Sequence, residues 1–263
     1  MANTVYSNQV LEAKAKDLLT TTLDTKTLMT IDDSLASSAG MKKVINTYTY
    51  SGTAEELGER EGNTNIGSIS YVPVEYQVKL VQQAFDYTDE DFMKDPSIVD
   101  NMLKGSNQVM ANKMTADFLA ALTSTKEGQR LITNKVTAAL SYDAIVDAIS
   151  ELNLEDESKV FVIIPNAWKA KLRKDPDYVA ARQGEVVYSG QVGTVCGIPV
   201  ICSKALTNEA YVMTNEAVKL FIKKDIEVEQ DRDKDKRINK VIERTCYLVA
   251  LVDATKACII AEA

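Results

Sequence analysis

Histidine is absent from this 263-residue chain. Its imidazole is the usual general base near neutral pH and the commonest transition-metal ligand. Ser-His-Asp and Cys-His nucleophile activation are therefore excluded, as are HExxH zinc sites. Paired carboxylates, lysine chemistry and magnesium sites stay open. Glycine (11) and proline (5) are sparse, so the chain is not built from tight turns or linkers. Aromatics make up 6% and cysteines number four (Cys196, Cys202, Cys246, Cys258), with no C-x-x-C spacing. In a reducing compartment such cysteines read as small buried hydrophobes. No run approaches the roughly 18 apolar residues of a membrane helix, so no membrane partner is expected. The amino terminus lacks the basic-then-apolar layout of a signal peptide, and no N-x-S/T acceptor occurs.

What is present is an ordinary globular composition, 45% hydrophobic and 26% charged, enough for a sizeable core. The net charge of −8 argues against a dedicated nucleic-acid binder, which needs a basic face, but permits weak contact with DNA.

The elements follow in an unusual order. Residues 1–42 begin with LEAKAKDLL, helical in spacing but with no matching partner face, and continue into a Thr/Ser-rich stretch. They are expected to form an arm that needs something else to lie on. Residues 43–86 read as one long hairpin. The outgoing strand holds Val44, Tyr48 and Tyr50, and the tip carries four glycines and four glutamates (Glu55, Glu56, Glu59, Glu61) together with Arg60. The return strand alternates, with Val72, Val74, Tyr76, Val78 and Leu80 on one face. About 16 residues at roughly 3.3 Å each would reach about 50 Å, too long for a ribbon to bury its own apolar face. That face, with the charged tip, is the expected assembly interface.

Residues 96–125 predict a helix of about 43 Å, with Asp95 as N-cap and Pro96 in its first position. Ser141 caps a second amphipathic helix, and KVFVII suits a strand covered on both faces. Pro165 and Asn166 open a short helix, AWKAKLRK. GTVCGIPVICS predicts a strand with a glycine kink, and β-rich sequence then runs to the end.

No Walker A, GxGxxG, GxSxG or SxxK motif is present. Asp231, Asp233 and Asp235 have calcium-loop spacing, but Lys236 and Ile242 replace the required Gly and Glu, so a solvated turn is expected. The glutamates at the tip lack an apolar pocket to raise a pKa. Trp168 and the methionines of the long helix read as core. No catalytic, cofactor or metal residues are assigned.

The order of parts resembles the major capsid proteins of tailed phages, the Hong Kong 97 fold, over about residues 30–263. The best local match is FVIIPNAWKAKLRKDPDYVAARQG followed by GTVCGIPVICSKAL. It is similar to that family's strand, short helix and loop, followed by a G-x-x-x-G-I-P-V strand. The resemblance implies an α+β fold with an amino-terminal arm (1–42) and an extended E-loop hairpin with its base (43–86). A peripheral domain (87–140 and 225–263) would contain the spine helix 96–125, and residues 141–224 would form an α/β axial domain. It also implies a non-enzymatic subunit that self-assembles into pentamers and hexamers of an icosahedral head enclosing double-stranded DNA. A portal and a separate scaffolding protein would be partners, the latter because no long amino-terminal extension precedes the arm. The protein would be found in the virion, and in the host cytoplasm before assembly. No lysine lies between Val44 and Val78, so assembly without an isopeptide cross-link from the hairpin is expected. Three rivals remain: an encapsulin-like compartment around an enzyme cargo, a phage tail or adhesion protein, and a magnesium-dependent enzyme built on residues 141–223.

Overall fold

The computed structural model describes residues 8–22, 28–123, 131–181 and 193–261. In chain order the elements are α1 (Asn8–Thr22), β1 (Thr30–Asp32), β2 (Lys42–Ser51), β3 (Ser68–Gln77), β4 (Lys79–Thr88), α2 (Asp89–Lys94) and α3 (Ile98–Leu122). There follow β5 (Asn134–Thr137), α4 (Tyr142–Leu152), β6 (Val160–Pro165), a short 3₁₀ turn, α5 (Lys169–Lys174), α6 (Pro176–Ala181) and β7 (Thr194–Val195). The chain closes with β8 (Ile198–Ser203), β9 (Glu209–Thr214), β10 (Val218–Asp233), β11 (Ile238–Leu251) and β12 (Ala257–Ala261).

Two sheets organise these elements. One has the order β1-β10-β11-β4, the other β5-β12-β9-β6-β8-β7, and β2 pairs with β3 alone. The six-stranded sheet is covered on both faces, which is why every residue of β6 (VFVIIP) is buried. Phe161 and Ile163 pack with Met114, Phe118 and Leu122 from the carboxyl half of α3. Val160, Val162 and Ile164 pack on the other side with Ile145, Ala148 and Ile149 of α4 and with Trp168, Leu172 and Tyr178. The amphipathic pattern of α4 thus selects its face, and Ser141 caps it by accepting a hydrogen bond from Ala144 N at 3.1 Å.

Several expectations are corrected. Helix α1 is no partnerless arm: Leu11 and Ala15 are buried with Val99 and Leu103 of α3 and with Ile226 and Val228. The strip β1 adds a parallel strand beside β10. The long helix starts at Ile98 with Ser97 as its N-cap. Asp95 instead closes α2, and its carboxylate accepts from Ser97 N and Oγ at 2.9 and 2.6 Å. Helix α2 follows β4 directly, held at its start by a reciprocal bond pair between Thr88 and Asp91. The glycine kink is a tight turn between β7 and β8, with Cys196 at φ 51° and Gly197 at φ 82°. Residues 182–192, at the end of the FVIIPNAWKAKLRKDPDYVAARQG stretch and just before GTVCGIPVICS, lie outside the described residues.

The expected boundary at 224 also falls inside an element. The chain leaves the six-stranded sheet after β9, and β10 of the four-stranded sheet runs from Val218 past residue 224, pairing with β11 with register shifts between Ile222 and Glu227. Asp233 serves the β10–β11 turn, its Oδ1 accepting from Asp235 N and Lys236 N at 3.0 and 3.1 Å, whereas Asp231 stays in the ladder opposite Lys240.

Candidate assembly surfaces

The hairpin of β2 and β3 is joined in regular antiparallel register, Lys42 opposite Gln77 through Ser51 opposite Ser68. Directly opposed residues share a face, so the register sorts the side chains into two rows. One row holds the pairs Ile45/Val74 and Thr47/Val72. The other holds Val44/Glu75, Asn46/Pro73, Tyr48/Tyr71 and Tyr50/Ile69.

The first row faces the subunit's own core at its base. Val74, Tyr76 and Val78 are buried with Leu35, Ile45, Phe221, Leu248 and Ala250 against the four-stranded sheet. The Tyr76 hydroxyl donates to Leu251 O at 3.2 Å. These three residues are therefore removed from the expected intersubunit set. Leu80 does not extend the hairpin either. The backbone breaks at Val78, whose N–H donates to Met41 O at 2.8 Å, and β4 then pairs with β11. Val72, further out, and Leu80, at the edge of a cleft of about 540 Å³ with Lys113, Asp117 and Leu248, remain exposed.

The second row is the one left in solvent. Val44, Tyr48, Tyr50, Ile69 and Tyr71 are all more than half exposed, with Tyr48 at 69% and Tyr71 at 64%. Sequence alternation shows that a strand has two faces but not which one is covered. Here both rows are apolar, and the row that the return strand suggested is covered at its base by the subunit's own core. The opposed tyrosines on the two strands were the available signal, once the register is known.

At the neck of the tip the two strands converge. A Cβ on Gly52 would stand 2.9 Å from Gly67 Cα, so glycine permits this approach. Beyond it, Glu55 accepts from Thr64 N, Thr64 Oγ1 and Asn65 N at 2.9, 3.0 and 3.2 Å. The Thr64 backbone bond leads in holding its carboxyl below the ordinary value. Glu61 accepts from Gly58 N at 2.9 Å, and Arg60 sits at φ 70°. Glu55 and Glu61 thus shape the tip, whereas Glu56, Glu59 and Arg60 point their charges into solvent.

The base of the hairpin is tied to the long helix by one carboxylate. Asp117 on α3 is 6% exposed and accepts from Lys79 Nζ (2.8 Å), Lys113 Nζ (3.0 Å) and Tyr247 Oη (2.9 Å). Burial pushes this carboxyl up, but the three hydrogen bonds outweigh it and hold it below the ordinary value.

The comparisons agree with this architecture. No family model matches the chain. In sequence it is 24% identical over 267 residues to the major capsid protein of Staphylococcus phage phiMR11, covering 97% of this chain and 94% of that one. In structure it matches the capsid of cyanophage P-SCSP1u with a TM-score of 0.68 at 13% identity, over 90% of this chain and 86% of that one. The chain has the fold of tailed-phage capsid proteins. That Hong Kong 97 fold also relates it to a virus-like particle from Pyrococcus furiosus, with a TM-score of 0.64 at 12% identity, over 96% and 98% of the two chains.

Proposed function

We infer that this chain is the major capsid protein of a tailed bacteriophage, a structural subunit that self-assembles into an icosahedral head around double-stranded DNA. The carrying observation is the end-to-end likeness to a phage major capsid protein, 97% of the chain at 24% identity, joined to a capsid fold.

The subunit's work is mechanical. Pentamers and hexamers form through the α/β lobe built on the six-stranded sheet. Each hairpin projects its Tyr48/Tyr71 and Tyr50/Ile69 row onto a neighbouring subunit, with Val72 and the charged tip residues Glu56, Glu59 and Arg60 at the margin. A row of this kind gains by leaving water, since aromatic side chains supply large contact area at modest entropic cost. No lysine lies between Val44 and Val78, so the contact is non-covalent. A separate scaffolding protein and a portal assist, DNA is held by weak contacts, and subunits wait in the host cytoplasm.

Expression of the full chain, alone and with its phage's scaffolding protein, followed by negative-stain microscopy, tests this. Closed isometric shells are expected. Compact monomers under every condition, or tubes, would overturn it. The Pyrococcus furiosus likeness favours one alternative, a nanocompartment. Particles that hold a cargo enzyme and no nucleic acid, by mass spectrometry and absorbance ratio, would select it.

A further inference from the structure

Where α3 crosses β11, three polar side chains are sealed from solvent: Ser106 at 5% exposure, and Asn107 and Glu243 at 0%. Ser106 Oγ donates to Glu243 Oε2 at 2.6 Å, and Asn107 Nδ2 donates to Leu103 O at 2.9 Å. Two buried acceptors are left without a donor among the described residues, Glu243 Oε1 and Asn107 Oδ1.

Among the described residues, none beside Glu243 supplies a counter-charge. On either side of Glu243 in the sheet, its register partners are Val228 of β10 and Gln83 of β4. From its own strand, Thr245 donates to Lys224 O and Tyr247 donates to Asp117. On α3, Lys104 is exposed and Asp100 is paired with Lys14 of α1 at 3.0 Å, while Lys113 and Lys79 are engaged by Asp117. An ionised carboxylate sealed here with one hydrogen bond is strongly disfavoured. A proton on Oε1 removes the charge and turns one surplus acceptor into a donor. Burial pushes the Glu243 carboxyl up in the same sense, against a smaller pull from Ser106.

The adjoining helix position is Gly105, exposed, with nothing within 4 Å of the place a Cβ would take. Packing does not require glycine there, and a Gly–Ser step is where a helix bends most readily. We propose that Glu243 is carried as a neutral acid and acts as a pH-sensitive latch, pinning the Gly105–Ser106 step of α3 to the sheet and releasing it on ionisation.

The direction follows from linkage. The folded pKa lies above the ordinary 4.5, so between the two values the folded chain holds a proton that the unfolded chain has lost. The latch therefore contributes fully below the ordinary value and weakens as pH rises through the folded one.

The test compares the full-length wild type with E243Q by urea unfolding from about pH 4.5 to about pH 8. The two midpoints should nearly coincide at the acid end, with E243Q pulling ahead as pH rises. A gap of constant size at every pH would overturn the latch. Infrared spectroscopy of the wild type supplies a second measurement, independent of whether E243Q folds. One protonated-carboxyl C=O band is expected to persist above the pH at which the exposed carboxyls ionise, and a Glu243 band that titrates along with theirs would sink the proposal.

Discussion

Tyr48 and Tyr71 stand directly opposite one another across the β2–β3 hairpin, on the side turned away from the subunit's own core. Such a pair contributes little to the fold of its own chain while both rings remain in water. Tyr48→Ser with Tyr71→Ser is expected to change subunit stability by no more than about 0.5 kcal/mol. The same double variant should assemble poorly or not at all. Sedimentation of shells against soluble subunits checks this, and normal shell yield would show that the row is not a contact.

The opposite row behaves in the reverse manner. Val74 is buried beside Ile45 and Leu248. Val74→Ala should lower subunit stability by roughly 1–3 kcal/mol through lost burial and a residual cavity. Tyr76→Phe should cost about 1 kcal/mol by leaving Leu251 O without its donor. Chemical denaturation of the unassembled chain measures both, and the pair of results separates the core face from the solvent face.

Acid should loosen the join between hairpin base and long helix. The Asp117 carboxyl is held below its ordinary 3.8, so its contribution is complete above that value and is lost as pH falls through the folded one. Tyr247→Phe removes one of the three donors and should cost about 2 kcal/mol near neutral pH, because the acceptor is ionised. It should also shrink the acid-side slope of stability, measurable by thermal melts between about pH 2 and about pH 5.

Asn153 ends α4 in the left-handed region, at φ 46° and ψ 47°. Asn153→Val should destabilise by about 1–2 kcal/mol, since a β-branched side chain is strained there. Asn153→Gly should be neutral or better. Equal midpoints for the two variants in denaturant would show that this cap does not control the helix end.

How much of this was legible beforehand depends on whether the deciding force was local. Ser141 with the apolar face of α4, and the unbroken run of β6, carry their environment in their own residue types. The long helix was legible for the same reason, although Asp95 and Pro96 resemble a start signal and lie just before it, because Asp95 is used to close α2. The hairpin face was not legible: Ile45, Val72, Val74 and Tyr76 make one apolar row, and Val44, Tyr48, Tyr50, Ile69 and Tyr71 make another. Only the presence of Phe221 and Leu248 beneath Val74 decides between them, and those partners come from the far end of the chain. Leu11 and Ala15 were missed likewise, since their partners Ile226 and Val228 lie more than two hundred residues away. The break at Val78 has no sequence mark; β4 simply finds a better neighbour in β11.

Among the chain's passages between the two sheets, the one from β9 to β10 and the one from β11 to β12 touch. Val252 N and Asp253 N both donate to Ala217 O, at 2.8 and 3.2 Å. A single strap would permit the lobes to swivel; two straps fastened side by side resist torsion about either one. Curvature demanded by different positions in a closed shell would then be absorbed at the periphery, in the ribbon and along the helix, while the middle of the subunit keeps its angle.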